Sequence, residues 1–316
     1  MVDNCTTGIL PSVNSNIENI LFSVLYALMS VFICGGNILT IVAVWKTRVL
    51  RTIPNMFVVS LAVADLIVGG LVVPMQSMSF VPTLSDIIRT NTYACIIHFE
   101  IFNISVSLSI VFMMTIAFDR VLYIGYPFYY QTMVTFNRAK IIIFAGSVIS
   151  FGFGALPLLS YSMDACSACA MFGKTRFDFE LYWNLVSFGI VCVLTSICYG
   201  YIFKIARRQR IQCCKDSAPH LMNQIEHDIK LIKIYVLVFG IFFLSWSPNL
   251  FVVIVHRFTE YHIPEFVLNI TIPISLSNSG LNFLVYSVRN EDFRKAFKKL
   301  LLRPSRVVPD NPGCQA

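Results

Sequence analysis

Seven long apolar stretches alternate with short polar segments along the chain. They cover residues 20–45, 56–80, 101–118, 141–161, 181–203, 234–255 and 266–288. Each is close to the roughly 20 residues that an α-helix needs to cross about 30 Å of hydrocarbon. Because a helix satisfies its own backbone hydrogen bonds, the pattern predicts an all-α membrane protein with a seven-transmembrane helix bundle over residues 20–288.

Polar segments flank this predicted bundle. Residues 1–19 are expected to form an extracellular tail, and the first span is expected to act as its own insertion signal. After span seven, apolar residues recur at helical spacing among basic ones, which predicts a short amphipathic helix over residues 289–302 at the inner membrane face. Residues 303–316 would then be a cytoplasmic tail.

Basic residues are concentrated on one side of the bundle. Seven lie between spans five and six and seven follow span seven, whereas the opposite side has four. The positive-inside rule therefore predicts a multi-pass membrane protein with its N-terminus outside and its C-terminus in the cytosol. Only 13% of the residues are charged. The net charge of +7 is explained by basic cytosolic segments that face the anionic lipids of the inner leaflet, and it does not indicate nucleic-acid binding.

Polar side chains interrupt the spans at a few positions. Span seven carries a stripe at mostly four-residue steps, which lies along one face of a helix and must face the bundle interior. Its members are Thr271, Ser275, Asn278, Asn282 and Tyr286. Helix–helix hydrogen bonding alone would explain this stripe. Asp65 in span two adds a buried carboxylate, and such a group among hydroxyl and amide oxygens suits a hard monovalent cation or a proton. The candidate ligands are Asp65, Ser109, Asn278, Ser279 and Asn282.

Several motifs, taken in order, resemble those of the rhodopsin-like (class A) G-protein-coupled receptors over roughly residues 20–300. They are Gly36-Asn37, Leu61-Ala-Val-Ala-Asp65, Asp119-Arg120-Val121, Ser245-Trp246-Ser-Pro248 and Asn282-Phe-Leu-Val-Tyr286. Val121 and Phe283 replace the family's usual tyrosine and proline. These two departures leave the basal activity and the strength of coupling open.

The resemblance implies a sodium ion held by Asp65 and its neighbours in the inactive state, and no covalent cofactor. It also implies a switch in which Arg120 pairs with Asp119, and with Asp228, until activation frees it to contact a G protein. The residues with implied switch or coupling roles are Asp119, Arg120, Phe128, Tyr199, Asp228, Phe242, Trp246, Pro248 and Tyr286.

The same resemblance places a ligand cavity at the outer side of the bundle. Its implied lining is Phe102, Asn103, Val106, Trp183, Asn184, Ser187, Trp246, Asn249 and Leu276. Phe102 stands where amine receptors have an aspartate, and Leu276 stands where opsins have the retinal lysine. We therefore expect a neutral small molecule, a lipid-like ligand or a small peptide.

Cysteines and a glycosylation sequon belong to the predicted outer side. The resemblance implies a disulfide between Cys95 and Cys169, which would hold the second outer loop over the cavity. Cys166 and Cys5 are a second candidate pair, and this pairing stays open. Asn4 begins an Asn-Cys-Thr sequon in the outer tail.

Three functions compete for this chain. The leading one is ligand-controlled activation of a heterotrimeric G protein, with arrestin and a receptor kinase as further partners that the family implies. The alternative is a non-coupling seven-helix decoy or partner protein, which Val121 and Phe283 favour. A transporter or channel around Asp65 is disfavoured because the sequence has no internal repeat or pair of broken helices. No nucleophile–base pair converges in a loop, so we expect no enzyme.

Overall fold

The computed structural model describes residues 16–156, 174–216, 219–259 and 264–302. Within these ranges the chain forms eleven α-helices and no β-strand. The helices are α1 (Asn16–Lys46), α2 (Ile53–Ile67), α3 (Val73–Met78), α4 (Pro82–Thr90), α5 (Thr92–Gly125), α6 (Pro127–Met133), α7 (Phe136–Ala155), α8 (Lys174–Asp216), α9 (Pro219–Thr259), α10 (Glu265–Arg289) and α11 (Glu291–Leu302).

Each predicted span overlaps one long helical unit. These units are α1, the α2–α3 pair, α5, α7, α8, α9 and α10, where α2 and α3 are joined by a π-helical segment, Val68–Val72. In the described part of the chain, six units are long and apolar enough to cross a membrane by length and composition. The helix α10 is not among them because its polar stripe lowers its hydropathy. The predicted seven-helix bundle is confirmed.

Most helices are longer than the apolar stretches that predicted them. The helix α5 begins at Thr92 rather than near residue 101, because the side chain of Asn91 accepts hydrogen bonds from the backbone N–H groups of Tyr93 and Ala94, at 3.0 and 3.2 Å. Hydrophobicity marks only the part of a helix that lies in hydrocarbon. The backbone hydrogen bonds continue beyond it into polar surroundings.

The bundle is arranged around α5, which packs against α2, α7 and α8. The helix α9 packs against α8 and α10, and α1 packs against α2 and α10. We call the end of the bundle that carries Arg120 the inner end and the opposite end the outer end. One apolar cluster fills the inner half, and a smaller one, the outer cluster, contains Tyr26, Phe80 and Leu276.

Two glycines allow helices to approach closely. A Cβ added at Gly154 in α7 would lie 2.5 Å from the backbone Cα of Ile104 in α5. A Cβ added at Gly36 in α1 would lie 2.7 Å from the ring of Phe283 in α10. Small residues at such contacts let membrane helices gain van der Waals packing that larger side chains would prevent.

The chain turns after α10 into the amphipathic helix α11. The carboxamide oxygen of Asn290 accepts a hydrogen bond of 3.0 Å from the backbone N–H of Asp292, which caps the new helix. Phe293 and Phe297 are buried against the bundle, whereas Leu301 and Leu302 are exposed. The predicted C-terminal amphipathic helix is therefore confirmed, and it begins two residues later than expected.

Candidate functional site

Asp65 lies at the meeting point of α2, α5 and α10. Its side chain is completely buried. The Asn282 amide donates a hydrogen bond of 2.9 Å to Oδ2, and the Ser109 hydroxyl donates one of 3.4 Å to Oδ1. The side chain of Ser279 lies beside this carboxylate. The structure thus brings together polar residues that the sequence only placed on separate spans.

Two buried amide oxygens on α10 have unused lone pairs, and one of them belongs to Asn282, which contacts this carboxylate. The Oδ1 atoms of Asn278 and Asn282 are buried and have no hydrogen-bond partner in the described part of the chain. A buried acceptor without a partner is costly, so native structures retain few of them without a reason. Hard oxygen atoms and a single carboxylate fit a sodium ion better than a divalent ion.

Asn37, the polar residue of span one, has a structural role. Its amide donates to the backbone oxygen of Ile33, at 2.9 Å, and to that of Ser279, at 3.0 Å. The second bond ties α1 to α10 beside the Asp65 cluster. Asn37 therefore fixes the backbone position from which Ser279 and its neighbours reach Asp65.

Asp119 and Arg120 form a buried ion pair at the inner end. The Arg120 Nε donates to Oδ2 of Asp119 at 2.9 Å, and a second guanidinium nitrogen donates to the same oxygen. The hydroxyl of Tyr130 in α6 donates a hydrogen bond of 2.7 Å to Oδ1. Burial and the Asp119 carboxylate raise the pKa of Tyr130, so its hydroxyl stays protonated as a donor. Asp119 is thus held from two sides.

Two tyrosine rings complete the surroundings of Arg120. The centre of its guanidinium lies 5.0 Å from the ring centroid of Tyr123 and 5.4 Å from that of Tyr235 in α9. Such cation–π contacts are favourable for a charge removed from water. Tyr123, Tyr130 and Tyr235 were not predicted from the sequence. Helical spacing from Arg120 could have indicated Tyr123, but the other two reach the pair only through tertiary packing.

The remaining predicted switch residues occupy contrasting environments. Tyr199, Tyr286 and Phe242 are buried, and the Phe242 ring lies 6.3 Å from that of Trp246, centroid to centroid. Pro248 lies inside the continuous helix α9. Phe128 on α6 is 88% exposed. The side chain of Asp228 lies outside the described residues, so its pairing with Arg120 stays a prediction.

An aromatic pair and an amide lie at the predicted cavity. The ring centroids of Phe102 and Trp246 are 6.1 Å apart, and the Thr271 hydroxyl donates a hydrogen bond of 3.4 Å to the amide oxygen of Asn249. Asn103, Val106 and Ser187 are half-buried and Asn184 is exposed. The side chain of Trp183 lies outside the described residues.

Leu276 occupies the core of this structure. It is 2% exposed and packs in the outer cluster with Tyr26 and Phe80. A position transferred from a family motif fixes the place of a residue along a helix. Packing against α1 and α2 decides which way its side chain points.

The predicted covalent features involve residues that the structure does not describe. Asn4, Cys5, Cys166 and Cys169 lie outside the described ranges, as does the side chain of Cys95. The Cys95–Cys169 disulfide, the alternative pairing of Cys166 with Cys5 and the glycosylation of Asn4 stay predictions.

Comparison with known proteins shows the family to which the chain belongs. The model of the 7 transmembrane receptor (rhodopsin family) matches residues 36–286, which include the Asp65 cluster and the Arg120 pair. The chain belongs to this family. The receptor is 30% identical to the dog adenosine receptor A2a over 84% of its own length and 68% of that relative. It is 29% identical to the mouse adenosine receptor A2b, over 90% and 91% of the two chains.

Membership defines what kind of protein this is. Like its relatives, it is a multi-pass plasma-membrane receptor and not an enzyme. The human adenosine receptor A2b is 28% identical over 90% of the receptor and 91% of that relative.

Proposed function

We propose that this receptor couples the binding of an extracellular neutral small molecule to the activation of a heterotrimeric G protein. The buried Arg120, held by Asp119, Tyr123 and Tyr235, is the observation that carries the proposal. Its guanidinium is permanently charged and needs partners in every state. Exchanging these intramolecular partners for groups on a G protein makes a two-state switch.

The proposed topology puts Arg120 on the cytosolic side. The excess of basic residues between α8 and α9 and after α10 supports a cytosolic inner end and an extracellular N-terminus. Phe128 is a large apolar residue that is 88% exposed on α6 at this end. A side chain of this kind suits an apolar groove on a G-protein subunit. Arrestin and a receptor kinase would share the same face.

Sodium is the proposed allosteric ligand of the inactive state. Asp65, Ser109, Ser279 and the amide oxygens of Asn278 and Asn282 would hold it. The ion would supply positive charge to the buried carboxylate and to two oxygen atoms that have no partner among the described residues. Because the ion would bind best while α2, α5 and α10 are close together, sodium favours the packed bundle.

The proposed ligand is neutral and planar, with nucleosides as the first class to test. The Phe102–Trp246 pair offers apolar ring faces, and Asn249 beside Thr271 offers an amide for hydrogen bonding. The residues that the structure describes in the predicted lining carry neither an acid nor a base. The names of the relatives, adenosine receptors A2a and A2b, support the same class.

The first test is ligand-free G-protein dissociation in cells at matched surface expression. The wild type is expected to give a basal signal that Arg120→Ala abolishes. Arg138→Ala is the matched control, because the side chain of this exposed arginine at the inner end of α7 bonds only to Met133 among the described residues. Persistent signalling in Arg120→Ala would refute the switch.

A second arm of this test addresses the non-coupling alternative. Adenosine is added to the wild type and to both variants in every G-protein class. Activation of the wild type and of Arg138→Ala, without activation of Arg120→Ala, supports the whole proposal. A wild type that is silent in all classes, with and without ligand, would favour the decoy.

A further inference from the structure

Three buried polar atoms at the outer end of the bundle have no hydrogen-bond partner among the described residues. They are Oγ of Ser79, Nδ1 of His98 and Nδ2 of Asn269. Each of the three residues is 7% exposed. They belong to three different helical units. Ser79 directly follows α3 as its C-cap, His98 lies on α5, and Asn269 lies on α10. None of them has a role in the switch or the sodium cluster.

All three residues lie close in sequence to residues of the outer cluster or to residues packed against it. Phe80, Ile101, Phe102 and Ile272 belong to this cluster or pack against it. Ser79 precedes Phe80, and His98 lies one helical turn before Ile101 and Phe102. Asn269 lies one turn before Ile272. Since residues three or four apart share a helix face, His98 and Asn269 lie on the faces of α5 and α10 that pack at this cluster.

We infer that Ser79, His98 and Asn269 form a polar subsite that binds a neutral, hydroxyl-bearing part of the ligand, such as the hydroxyl groups of a sugar. This inference rests on the proposed function, in which the planar part of the ligand lies against Phe102 and Trp246. Native proteins retain few buried polar atoms without a partner, and a binding role is a physical reason to keep three together.

The chemistry of the three groups selects the class of ligand. The Asn269 amide nitrogen donates, the Ser79 hydroxyl both donates and accepts, and the His98 nitrogen does either according to its tautomer. A hydroxyl group can hydrogen-bond to each of the three groups, because it both donates and accepts. Glu100 lies two residues beyond His98, about 200° around the helix axis, and so on another face. The subsite therefore favours a neutral group over a charged one.

The spacing along α5 sets the size of the ligand. His98 and Phe102 are four residues apart, which corresponds to about 6 Å along the helix axis. A molecule that touches both must carry its polar group about that far from its planar part. A nucleoside, in which a sugar is attached directly to a planar base, has this extent.

The first arm of the test measures the thermal unfolding of the purified, ligand-free receptor. Replacing an unsatisfied buried amide by an apolar side chain of similar size costs little or stabilises. Asn269→Leu is therefore expected to keep or raise the unfolding midpoint. Asn37→Leu is the matched comparison, because that buried helical asparagine makes two hydrogen bonds and should lower the midpoint. An equal fall in both variants would overturn the subsite.

The second arm compares adenosine with 2′,3′-dideoxyadenosine in the G-protein dissociation assay. The wild type is expected to respond to adenosine at about tenfold lower concentration, and Asn269→Leu or His98→Phe should abolish that difference. If adenosine activates the wild type and the variants keep the preference, the subsite is refuted and the proposed function stands. If adenosine does not activate the wild type while the Arg120-dependent basal signal persists, the nucleoside class and the subsite are both refuted. The proposed Arg120 switch is then retained.

Discussion

Asn282 donates a hydrogen bond of 2.9 Å to Oδ2 of Asp65, and so joins two helices whose contacting residues are 217 positions apart in the sequence. The amide oxygen of Asn282 has no partner among the described residues. One side chain therefore both fixes the carboxylate through its nitrogen and keeps a free acceptor oxygen. This arrangement gives a physical reason for an asparagine between the apolar residues Leu281 and Phe283 in span seven.

Asp65→Asn should abolish the response of the receptor to sodium. In the wild type, sodium at ten times its Kd should stabilise the inactive state by about 1.4 kcal/mol. The check is the thermal unfolding midpoint in sodium chloride against N-methylglucamine chloride at equal ionic strength. Ser60→Ala on the same helix should keep the response, because Ser60 bonds to the backbone of Phe57. Sodium dependence retained in Asp65→Asn would contradict the ion site.

Tyr130→Phe should raise basal G-protein signalling. The change deletes the hydrogen bond to Asp119, and a bond to a charged group contributes about 1.5–3 kcal/mol. With Asp119 less firmly held, Arg120 leaves the pair more readily and the active population grows. The measurement is ligand-free G-protein dissociation at matched surface expression. Tyr129→Phe, at an exposed neighbouring tyrosine, is expected to behave as the wild type.

Basal signalling that is unchanged or lower in Tyr130→Phe would show that the hydrogen bond does not restrain the switch. Adding Arg120→Ala to Tyr130→Phe tests whether a gain in basal signalling acts through Arg120. Any signal gained through Tyr130→Phe must be lost again in the double variant, because the gain acts through Arg120.

Gly36→Ala should destabilise the bundle, by about 1–3 kcal/mol. Its added methyl group would lie 2.7 Å from the ring of Phe283. Removing that ring in Gly36→Ala/Phe283→Ala should make the double variant more stable than the sum of the two single changes. The double-mutant cycle is measured from the thermal unfolding midpoints of the wild type, the two single variants and the double variant. Gly35→Ala has nothing within 4 Å of the added atom and should not lower stability. Additive effects would mean that the two positions do not touch.

Gly154→Ala should be more damaging than a change at a neighbouring glycine. The added atom would lie 2.5 Å from the backbone of Ile104, which cannot move aside as a side chain can. We expect a loss near the upper end of about 1–3 kcal/mol, measured by thermal unfolding and by surface expression. Gly152→Ala, with open space around its Cβ, is the matched control. Equal stability of the two variants would refute the close contact between α7 and α5.

Local signals in the sequence identified the candidate site only in part. Asp65, Ser109 and Asn282 could be predicted because a polar residue in a membrane span must face other protein, and few such residues are present. Tyr130 and Tyr235 gave no such signal, since a tyrosine near the end of a span is ordinary. Their proximity to the Asp119–Arg120 pair depends on how α6 and α9 pack beside α5.

The amino-acid sequence by itself determined the number of spans and the face on which each polar residue lies, because hydrophobicity and the 3.6-residue period act within one helix. Only the tertiary structure decided that Leu276 is a core residue, that Phe283 fills the space at Gly36, and that Ser79, His98 and Asn269 each bury a polar atom without a partner in the part of the chain that the structure describes. These contacts depend on helix crossings and rotations, which the packing of all the helices sets together.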